Sequence, residues 1–419
     1  MNKKKLTIGL FGFGVVGEGV YNVVQQTPSL NAHIKKICIR QPGKGRGAPG
    51  ELFTTDYDVI LNDPEINLIV ELIDDADEAY RIVTTALQKK KVVVSANKRM
   101  IAEHLNELLQ LQKKFSTSFL YEAAVCGSIP VIRNLEEYYD NDLLQGICGI
   151  VNGSTNYILT KIISEGLSYE TALAEAQELG FAESDPSLDV EGGDAANKLT
   201  ILLVHAYGII SHPDELLYKG ITQIQKQDAV FAAEKSYQIK LTAQARRLSN
   251  GEVAAFVLPQ FVTKESQLYN VRNEYNGVII ESQLADKQFL YGKGAGRYPT
   301  SSAVVSDISA LRYNYKYEYK KLNSEETYQL TDDYYLKVYL SFNRWDEVAK
   351  EDFESIDEFH STHKRQVLIG SIHARKIYNA GWLRNPSVSL IVLPDGIVEK
   401  EVLLHKTSRQ TSLQLEGVH

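Results

Sequence analysis

The densest group of residues that could do chemistry lies between Gly180 and Gly208, in GFAESDPSLDVEGGDAANKLTILLVHAYG. Residues four apart share one face of a helix, so Asp194 and Lys198 are predicted to be neighbours, with Asp194 as the helix cap. The rest of this helix is so apolar that Lys198 should lie at the margin of a buried surface. Such an ammonium can protonate an oxyanion forming on a substrate carbonyl while carboxylates hold a cationic group. A purely structural interpretation explains the pattern equally well. In it, the acids stabilise the dipole at the helix N-terminus, and Asp194 and Lys198 form one ordinary ion pair. The acidic residues of the stretch are Glu183, Asp185, Asp189, Glu191 and Asp194.

A glycine-rich segment near the N-terminus, GLFGFGVVGEGV, predicts a second kind of chemistry. Gly12, Gly14 and Gly17 have the G-x-G-x-x-G spacing between an apolar strand and a helix. There the first glycine permits a tight turn, the second lets backbone amides approach a pyrophosphate, and the third lets helix and strand pack closely. A turn that binds nothing is the alternative. Three lysines before the apolar run are typical of a secretory signal, but no cleavage site follows, so the dinucleotide interpretation is favoured.

The cations after the second predicted strand bear on which dinucleotide is bound. An NAD site usually has an acid there for the ribose 2′-hydroxyl. This chain has Arg40, then Lys44 and Arg46 in a glycine-rich loop. These cations would attract a 2′-phosphate, and no acid is expected to repel it. The pattern favours NADP over NAD, with a solvated basic loop as the alternative.

Composition limits the classes of protein to which the chain can belong. With 419 residues it is predicted to hold two or three domains, and its net charge of -8 argues against nucleic-acid or anionic-membrane binding. The three widely spaced cysteines fit reduced thiols in a cytoplasmic enzyme better than a disulfide frame or a zinc site. No apolar run approaches the roughly 18 to 20 residues that a membrane span needs.

The N-terminal third alternates predicted strands with helix-length segments, which is typical of a parallel sheet with crossover helices. We therefore predict an α/β, Rossmann-type doubly wound domain over residues 1–132, completed by residues 295–320. The predicted strands are Leu6–Phe11, His33–Arg40, Leu68–Leu72, Val92–Ser95 and Phe119–Ala124, with helices at Gly17–Gln26 and Glu78–Lys89.

The remainder is predicted to form two further units. Residues 133–310 are expected to be an α+β catalytic and dimerisation domain with one open sheet, and residues 328–419 a small C-terminal α+β domain. Between them, Tyr313, Tyr315, Tyr317 and Tyr319 lie on one side of an extended segment. Such a stripe can stack on single-stranded nucleic acid, but a linker or an edge strand is favoured in an acidic chain. The predicted elements are helices at Tyr169–Leu179, Ala195–Tyr207 and within Gly220–Leu248, and strands at Glu252–Leu258, Gly277–Glu281, Tyr334–Leu340 and Val388–Leu393.

Six motifs in order over some 300 residues resemble the homoserine dehydrogenase family. Besides the glycine loop and the acidic stretch, they are SANKRMIA from Ser95, YEAAVCGSIPVI from Tyr121, GIVNGSTNYILT from Gly149 and YGKGAGRYPTSSAVVSDI from Tyr291. The resemblance implies reversible NAD(P)H-dependent reduction of L-aspartate 4-semialdehyde to L-homoserine, a step of threonine, methionine and isoleucine biosynthesis. It further implies a cytoplasmic homodimer or higher homo-oligomer.

The resemblance also implies roles for individual residues. Lys198 would be the general acid, Lys98 a second active-site lysine near nicotinamide and substrate, and Glu183, Asp189 and Asp194 would hold the substrate amino group and order the site. A structural monovalent cation such as sodium would be held by Glu122 with the backbone carbonyls of Val125, Gly127 and Ile129. The implied cofactor contacts, which include the motif glycines, are Gly12, Phe13, Gly14, Val15, Val16, Gly17, Arg40, Ser95, Lys98 and Gly294.

The chain departs from the family pattern at two places. Asp74 and Asp75 follow IVEL, where the family usually has a small glycine-rich turn near the cofactor. The C-terminal region resembles an ACT regulatory module only in degenerate form and lacks its Asp-x-Pro-Gly turn, so threonine feedback is not expected. These departures motivate one alternative, a catalytically silent nucleotide-binding relative that regulates a partner. A second alternative is an NADP-dependent dehydrogenase of another small carbonyl compound, against which the unchanged acidic stretch argues.

Overall fold

The N-terminal unit is built on a parallel sheet. The structure is a computed structural model that describes residues 5–41, 47–141, 143–361 and 365–400, so Lys44 and Arg46 lie outside the described residues. Six strands follow the order β3-β2-β1-β4-β5-β6, and every neighbouring pair is parallel. The strands are β1 Leu6–Phe11, β2 Ala32–Cys38, β3 Phe53–Thr54, β4 Leu68–Glu71, β5 Val92–Ser95 and β6 Phe119–Leu120.

Helices connect these strands, which confirms the prediction of a Rossmann-type doubly wound domain. The central strands β1 and β4 are completely buried, as expected of a sheet covered on both faces. The predicted last strand is shorter than expected: Phe119–Leu120 pairs with β5, and the chain then turns into a 3₁₀ segment at Glu122–Ala124. The helices are α1 Val15–Gln26, α2 Asp58–Leu61, α3 Ala76–Gln88, α4 Lys98–Phe115 and α5 Val131–Glu137.

A later helix returns to this unit. Helix α11, Arg297–Leu311, packs against α1. Ser301 Oγ donates a hydrogen bond to the Val16 carbonyl at 3.1 Å, and Arg297 pairs with Glu18 at 3.0 Å. Residues from the second half of the chain therefore support the glycine loop.

A second, mixed sheet of 11 strands forms the rest of the fold, with β12-β11-β7-β9-β10-β17-β14-β16-β15 as its main path. Helices α6, α9 and α10 pack against β9. The helix predicted within Gly220–Leu248 is correct only at Lys226–Glu234, because Gln238–Arg247 pairs along its whole length with β10. The middle helices are α6 Gly153–Glu165, α7 Tyr169–Glu178, α8 Ser187–Val190, α9 Gly193–Tyr207 and α10 Lys226–Glu234. The strands here are β7 Leu144–Ile150, β8 Leu217–Tyr218, β9 Gln238–Arg247, β10 Val253–Val262, β11 Tyr275–Ser282 and β12 Asp286–Lys293.

The C-terminal strands continue the same sheet, since β17 pairs with β10. Their spatial order is β17-β14-β16-β15, and all three pairs are antiparallel. This is the order of a β-α-β-β-α-β unit whose first helix is replaced by 3₁₀ turns at Trp345–Glu347 and Lys350–Asp352. The ACT-like assignment stays a prediction. The elements are β13 Leu330–Thr331, β14 Tyr335–Phe342, β15 Phe353–Ser361, β16 Gln366–His373, α12 Ala374–Asn379 and β17 Ser389–Val398.

Part of the tyrosine-rich segment after α11 faces the core, whereas Tyr313 is exposed. Tyr317 and Tyr319 are buried, and both rings lie against His205. His205 Nε2 lies 2.9 Å from the Tyr121 hydroxyl, and Nδ1 lies 2.6 Å from the Glu136 carboxylate. Buried rings cannot stack on bases, so the nucleic-acid alternative is excluded for these two tyrosines. Within the described ranges, no helix is both long and apolar enough to cross a membrane.

Candidate active site

The glycine loop lies at the carboxyl end of β1, where it opens α1. Gly12 has φ +91°, and a Cβ there would lie 2.6 Å from the Leu72 carbonyl. A Cβ at Gly17 would lie 2.2 Å from the Gly12 carbonyl. Only glycine fits at these two positions, because the loop, the helix and the next strand pack backbone against backbone.

Gly14 differs from the other two glycines of the motif. It is the N-cap of α1, and nothing lies within 4 Å of the position that its Cβ would take. The first amides of a helix have no partner within the helix and attract anions. An open surface beside them fits the pyrophosphate of a dinucleotide. Among the neighbouring residues, Val15 is exposed, Val16 lines the adjoining cavity, and Phe13 packs edge-on against Tyr21 and Phe53.

One buried carboxylate joins two lysines. Asp194 Oδ2 lies 2.6 Å from Lys198 Nζ, and Oδ1 lies 2.7 Å from Lys98 Nζ. Lys198 also donates to the carbonyl of Val151 at 2.7 Å. The predicted pairing of Asp194 with Lys198 is confirmed, but Asp194 is not the helix cap: Gly192 is, with φ +94°, and Asp194 lies inside the first turn.

Asn152 connects this carboxylate to a second one. Its side-chain amide donates to Asp194 at 2.8 Å and to Asp189 at 2.7 Å, while its oxygen caps α6 by accepting from the Thr155 amide. Ser154 donates to the other oxygen of Asp189 at 3.2 Å. These bonds fix both carboxylates relative to the lysines.

Electrostatics favour the charged forms of Asp194 and Lys98. Burial alone would raise the pKa of Asp194, but the ammonium groups of Lys198 and Lys98 outweigh it and hold that pKa well below its usual range. The pKa of Lys98 is raised, first by Asp194 and, against the cost of burial, also by Asp189 and Glu183. Glu183 is exposed, so of the three predicted substrate-binding acids it is the one open to solvent.

The two lysines line a cavity of about 170 Å³ beside the glycine loop. Lys198 is 8% exposed, and the side chain of Lys98 is 38% exposed. Gly294, whose contact with the cofactor stays a prediction, lies in the same wall, and so does Asp74, one of the departures from the family. The cavity therefore brings the dinucleotide motif and the lysine cluster together. The other lining residues are Val16, Leu72, Ile73, Ala96, Ala123, Ala124, Cys126, Gly127, Ala295 and Thr300.

Ser95 is completely buried, behind this wall. Its hydroxyl donates to the Glu71 carboxylate at 2.6 Å, and the amide of Ile73 donates to the other oxygen at 2.7 Å. Burial raises the pKa of Glu71 to about 7, against the lowering effect of these two hydrogen bonds. Both side chains stand at the carboxyl ends of adjacent strands, β4 and β5.

Arg40, predicted to contact a 2′-phosphate, has two acidic neighbours. Its guanidinium lies 2.5 Å from Glu78 and 3.1 Å from Asp75, at the start of α3. The expectation that no acid lies near this cation is therefore wrong. The spacing of residues along the chain could not reveal these acids, because only the folding of the sheet brings the end of β2 close to the start of α3.

The predicted cation loop leads from β6 to α5. The Glu122 carboxylate accepts from the amides of Ile132 and Arg133 at 3.0 and 2.9 Å. Burial raises the pKa of Glu122 to about 8, and Asp307 adds to the rise. These amides use two of the roughly four acceptor sites of the carboxylate. A cation here would be held by the remaining carboxylate sites and by the backbone carbonyls of the loop, oxygen donors of the kind that hard cations prefer. No group of three or more His, Cys, Asp or Glu side chains in the described part of the chain forms a metal site.

Sequence reasoning missed several residues that shape the site. Asn152 and Ser154 lie in the NGST segment of a recognised motif, so the motif itself was the available signal. The Val151 carbonyl could not have been found, because a backbone acceptor leaves no mark on residue type.

Comparison with known proteins is consistent along the chain. The model of the homoserine dehydrogenase NAD-binding domain matches residues 12–122, and that of homoserine dehydrogenase matches residues 130–309. The homoserine dehydrogenase of Bacillus subtilis is 37% identical over 320 residues, which is 74% of this chain and 74% of that protein. The one from Synechocystis is 37% identical over 311 residues, 72% of each chain.

Solved structures agree with these matches. A homoserine dehydrogenase from Thiobacillus denitrificans aligns with a TM-score of 0.82 at 29% identity, covering 93% of this chain and 98% of that one. A hyperthermophilic archaeal homoserine dehydrogenase in complex with NADPH aligns with a TM-score of 0.65 at 26% identity, covering 75% of this chain and 99% of that one. These findings do not favour a silent relative or a dehydrogenase of another carbonyl compound. The chain belongs to the homoserine dehydrogenase family of NAD(P)-dependent oxidoreductases.

Proposed function

We propose that Lys198 is the proton donor when this chain reduces L-aspartate 4-semialdehyde to L-homoserine, with Lys98 as the second active-site lysine. The activity follows from family membership, and with it a role in the biosynthesis of threonine, methionine and isoleucine. The observation that carries the assignment is the single buried carboxylate of Asp194 shared by two ammonium groups beside the glycine loop.

The proposed mechanism uses the charges of this cluster. The nicotinamide cofactor supplies the hydride. As the aldehyde oxygen becomes negative, the Lys198 ammonium stabilises it and transfers a proton to it. Asp194 keeps this ammonium in place through one oxygen and holds Lys98 through the other. Asp189 and Glu183 add negative charge near Lys98, which suits them to hold the substrate's amino group.

The test is the loss of NADPH absorbance with L-aspartate 4-semialdehyde. Lys198→Ala should lower kcat about 10²- to 10⁴-fold, the usual contribution of a positioned acid, while the Kd for NADPH stays within about threefold. Lys161→Ala is the matched control, since Lys161 pairs with Glu165 and Glu175 on α6 and α7. Near-normal turnover of Lys198→Ala would remove the assignment.

We extend the proposal to NADP as the preferred dinucleotide. Its support is Arg40, a cation at the end of the strand that follows the glycine loop, where this class of fold holds the adenosine ribose. The steady-state ratio of activity with NADPH to activity with NADH tests it, and a ratio near or below one would contradict it.

A monovalent cation such as sodium is proposed at the Glu122 loop, held by this residue and the carbonyls of Val125, Gly127 and Ile129. It would have a structural role, stabilising the turn that leads to Gly127 in the cavity wall. Thermal unfolding in sodium chloride should then occur at a higher temperature than in choline chloride at equal ionic strength. Equal unfolding temperatures would contradict the site.

We also propose a homodimer formed through the second sheet, located in the cytoplasm. A concave region of about 510 Å³ on this sheet, lined by residues that include Gln244 and Lys287, supports the homodimer. Cys38 and Cys126 are buried free thiols, as expected in a reducing compartment. Light scattering coupled to size exclusion measures the mass, and a monomer would contradict the dimer.

A further inference from the structure

Arg40, Glu78 and Asp75 form an ion-paired triad at the end of β2. Strand β1 lies between β2 and β4 in the sheet. Arg40 contacts Glu78 through two nitrogens, Nε at 3.1 Å and Nη2 at 2.5 Å, and contacts Asp75 through Nη2 at 3.1 Å. The Arg40 side chain is 66% exposed, whereas that of Glu78 is only 13% exposed. The acid is therefore the fixed partner, and the arginine reaches from the surface toward it.

The two acids are held by the start of α3. Asp75 is the N-cap, and its Oδ1 accepts from the Glu78 amide at 2.9 Å. Glu78 is three residues further along, so both carboxylates occupy the first turn, where the helix dipole favours negative charge. When a ligand arrives, a carboxylate held in this way moves aside less freely than a carboxylate on a loop.

The position of the triad matters because of the fold. In dinucleotide-binding sheets the residue at the end of the second strand meets the adenosine ribose, an acid there favouring a free 2′-hydroxyl and an arginine a 2′-phosphate. This chain has both charge types at that point, and they bind each other.

We propose that Glu78, supported by Asp75, is a specificity-determining residue that restrains the preference for NADP over NAD by binding Arg40. The inference rests on the proposed contact between Arg40 and the 2′-phosphate. A 2′-phosphate must share the arginine with Glu78 and is repelled by the two carboxylates. A 2′-hydroxyl carries no charge and is not repelled.

The direction of the effect follows from this competition. Neutralising Glu78 frees Arg40 and removes one negative charge, so NADPH binding improves while NADH binding changes little. Exposed ion pairs are weak, so we expect the ratio of the Kd for NADH to the Kd for NADPH to rise about threefold to fivefold. The rise should shrink with added salt, because screening weakens exposed charges.

The experiment measures the Kd of both reduced dinucleotides by their fluorescence on binding. It compares wild type, Glu78→Gln, Arg40→Ala and the double variant. Glutamine keeps the shape of Glu78 and remains compatible with the start of a helix. Glu65→Gln is the matched control, because Glu65 pairs with Lys35 just before β4, at the amino-terminal edge of the parallel sheet.

The expected results are a higher ratio for Glu78→Gln, a lower one for Arg40→Ala, and no change for Glu65→Gln. Glu78→Gln should have a smaller effect when Arg40 is absent, because only the direct repulsion between Glu78 and the 2′-phosphate then remains. The difference measures how far the acid acts through the arginine. A ratio unchanged by Glu78→Gln while Arg40→Ala lowers it would overturn this inference alone. A ratio unchanged by Arg40→Ala would overturn the proposed 2′-phosphate contact.

Discussion

Replacing Asp194 with asparagine is the most demanding test of the lysine cluster. The substitution preserves shape but leaves two ammonium groups, 2.6 and 2.7 Å from its oxygens, without their shared negative charge. At an effective dielectric constant of about 20, each contact corresponds to about 6 kcal/mol of Coulomb energy. Desolvation offsets part of this, and removal of one partner from a buried pair usually costs about 3–5 kcal/mol. We expect Asp194→Asn to lose about that much unfolding free energy.

The same variant should alter catalysis in a way that simple destabilisation does not. Asp194 is the largest contributor to the raised pKa of Lys98, so that pKa should fall in the variant. Because the proposed site needs Lys98 as a charged second lysine beside the proton donor Lys198, the alkaline limb of the pH profile for aldehyde reduction should then move to lower pH, with kcat/KM reduced about 10²- to 10⁴-fold. Initial rates from pH 6 to 10, with urea unfolding in parallel, measure both effects.

A matched control distinguishes the effect of removing any carboxylate of the acidic stretch from the effect of removing the one at Asp194. Asp185 belongs to the same acidic stretch but is exposed and accepts hydrogen bonds from the amide and hydroxyl of Ser187, away from both lysines, so Asp185→Asn should leave both measurements unchanged. If Asp194→Asn keeps kcat/KM within threefold of wild type with an unmoved alkaline limb, the shared carboxylate does not organise the chemistry.

Three further predictions concern other parts of the structure. Asp74→Gly removes a carboxylate from the cavity wall, so the Kd for NADPH by fluorescence titration should fall about twofold to fivefold; an unchanged or higher Kd would contradict this. Burial raises the pKa of Glu71 to about 7, so wild type should lose up to about 3 kcal/mol of unfolding free energy as pH rises from about 4.5 to beyond 7. In urea unfolding at several pH values, Glu71→Gln should lose less unfolding free energy over this pH range than wild type, with the remaining loss due to other buried acids such as Glu122. An equal loss in the variant and in wild type would refute the prediction. His205→Phe leaves one oxygen of the buried Glu136 without its imidazole partner and should cost about 1–3 kcal/mol in the same assay, while no measurable loss would contradict the role of this hydrogen bond.

Much of the N-terminal unit was predictable because its signals are local. The strand Leu6–Phe11 is an uninterrupted apolar run, and the three motif glycines follow it at once. The structure shows why two of them are required: a Cβ at Gly12 or Gly17 would overlap a backbone carbonyl. Backbone contacts of this kind strongly restrict which residue type fits, so the glycines that they require can be recognised in the amino-acid sequence.

Local signals failed where pairing partners come from elsewhere. The segment Gln238–Arg247 was predicted within a helical region, yet it forms a strand because Val253–Val262 lies alongside it. The acids beside Arg40 were missed for a similar reason, since Asp75 and Glu78 are more than 30 residues further along the chain.

The sequence by itself determined the parallel dinucleotide-binding sheet, the glycine loop and the ion pair between Asp194 and Lys198, because each depends on spacings of a few residues. Only the tertiary structure decided that Lys98 shares the Asp194 carboxylate and that Glu78 holds Arg40. Charges from distant segments interact strongly only when folding brings them within a few ångströms, and residue spacing along the chain does not encode that distance.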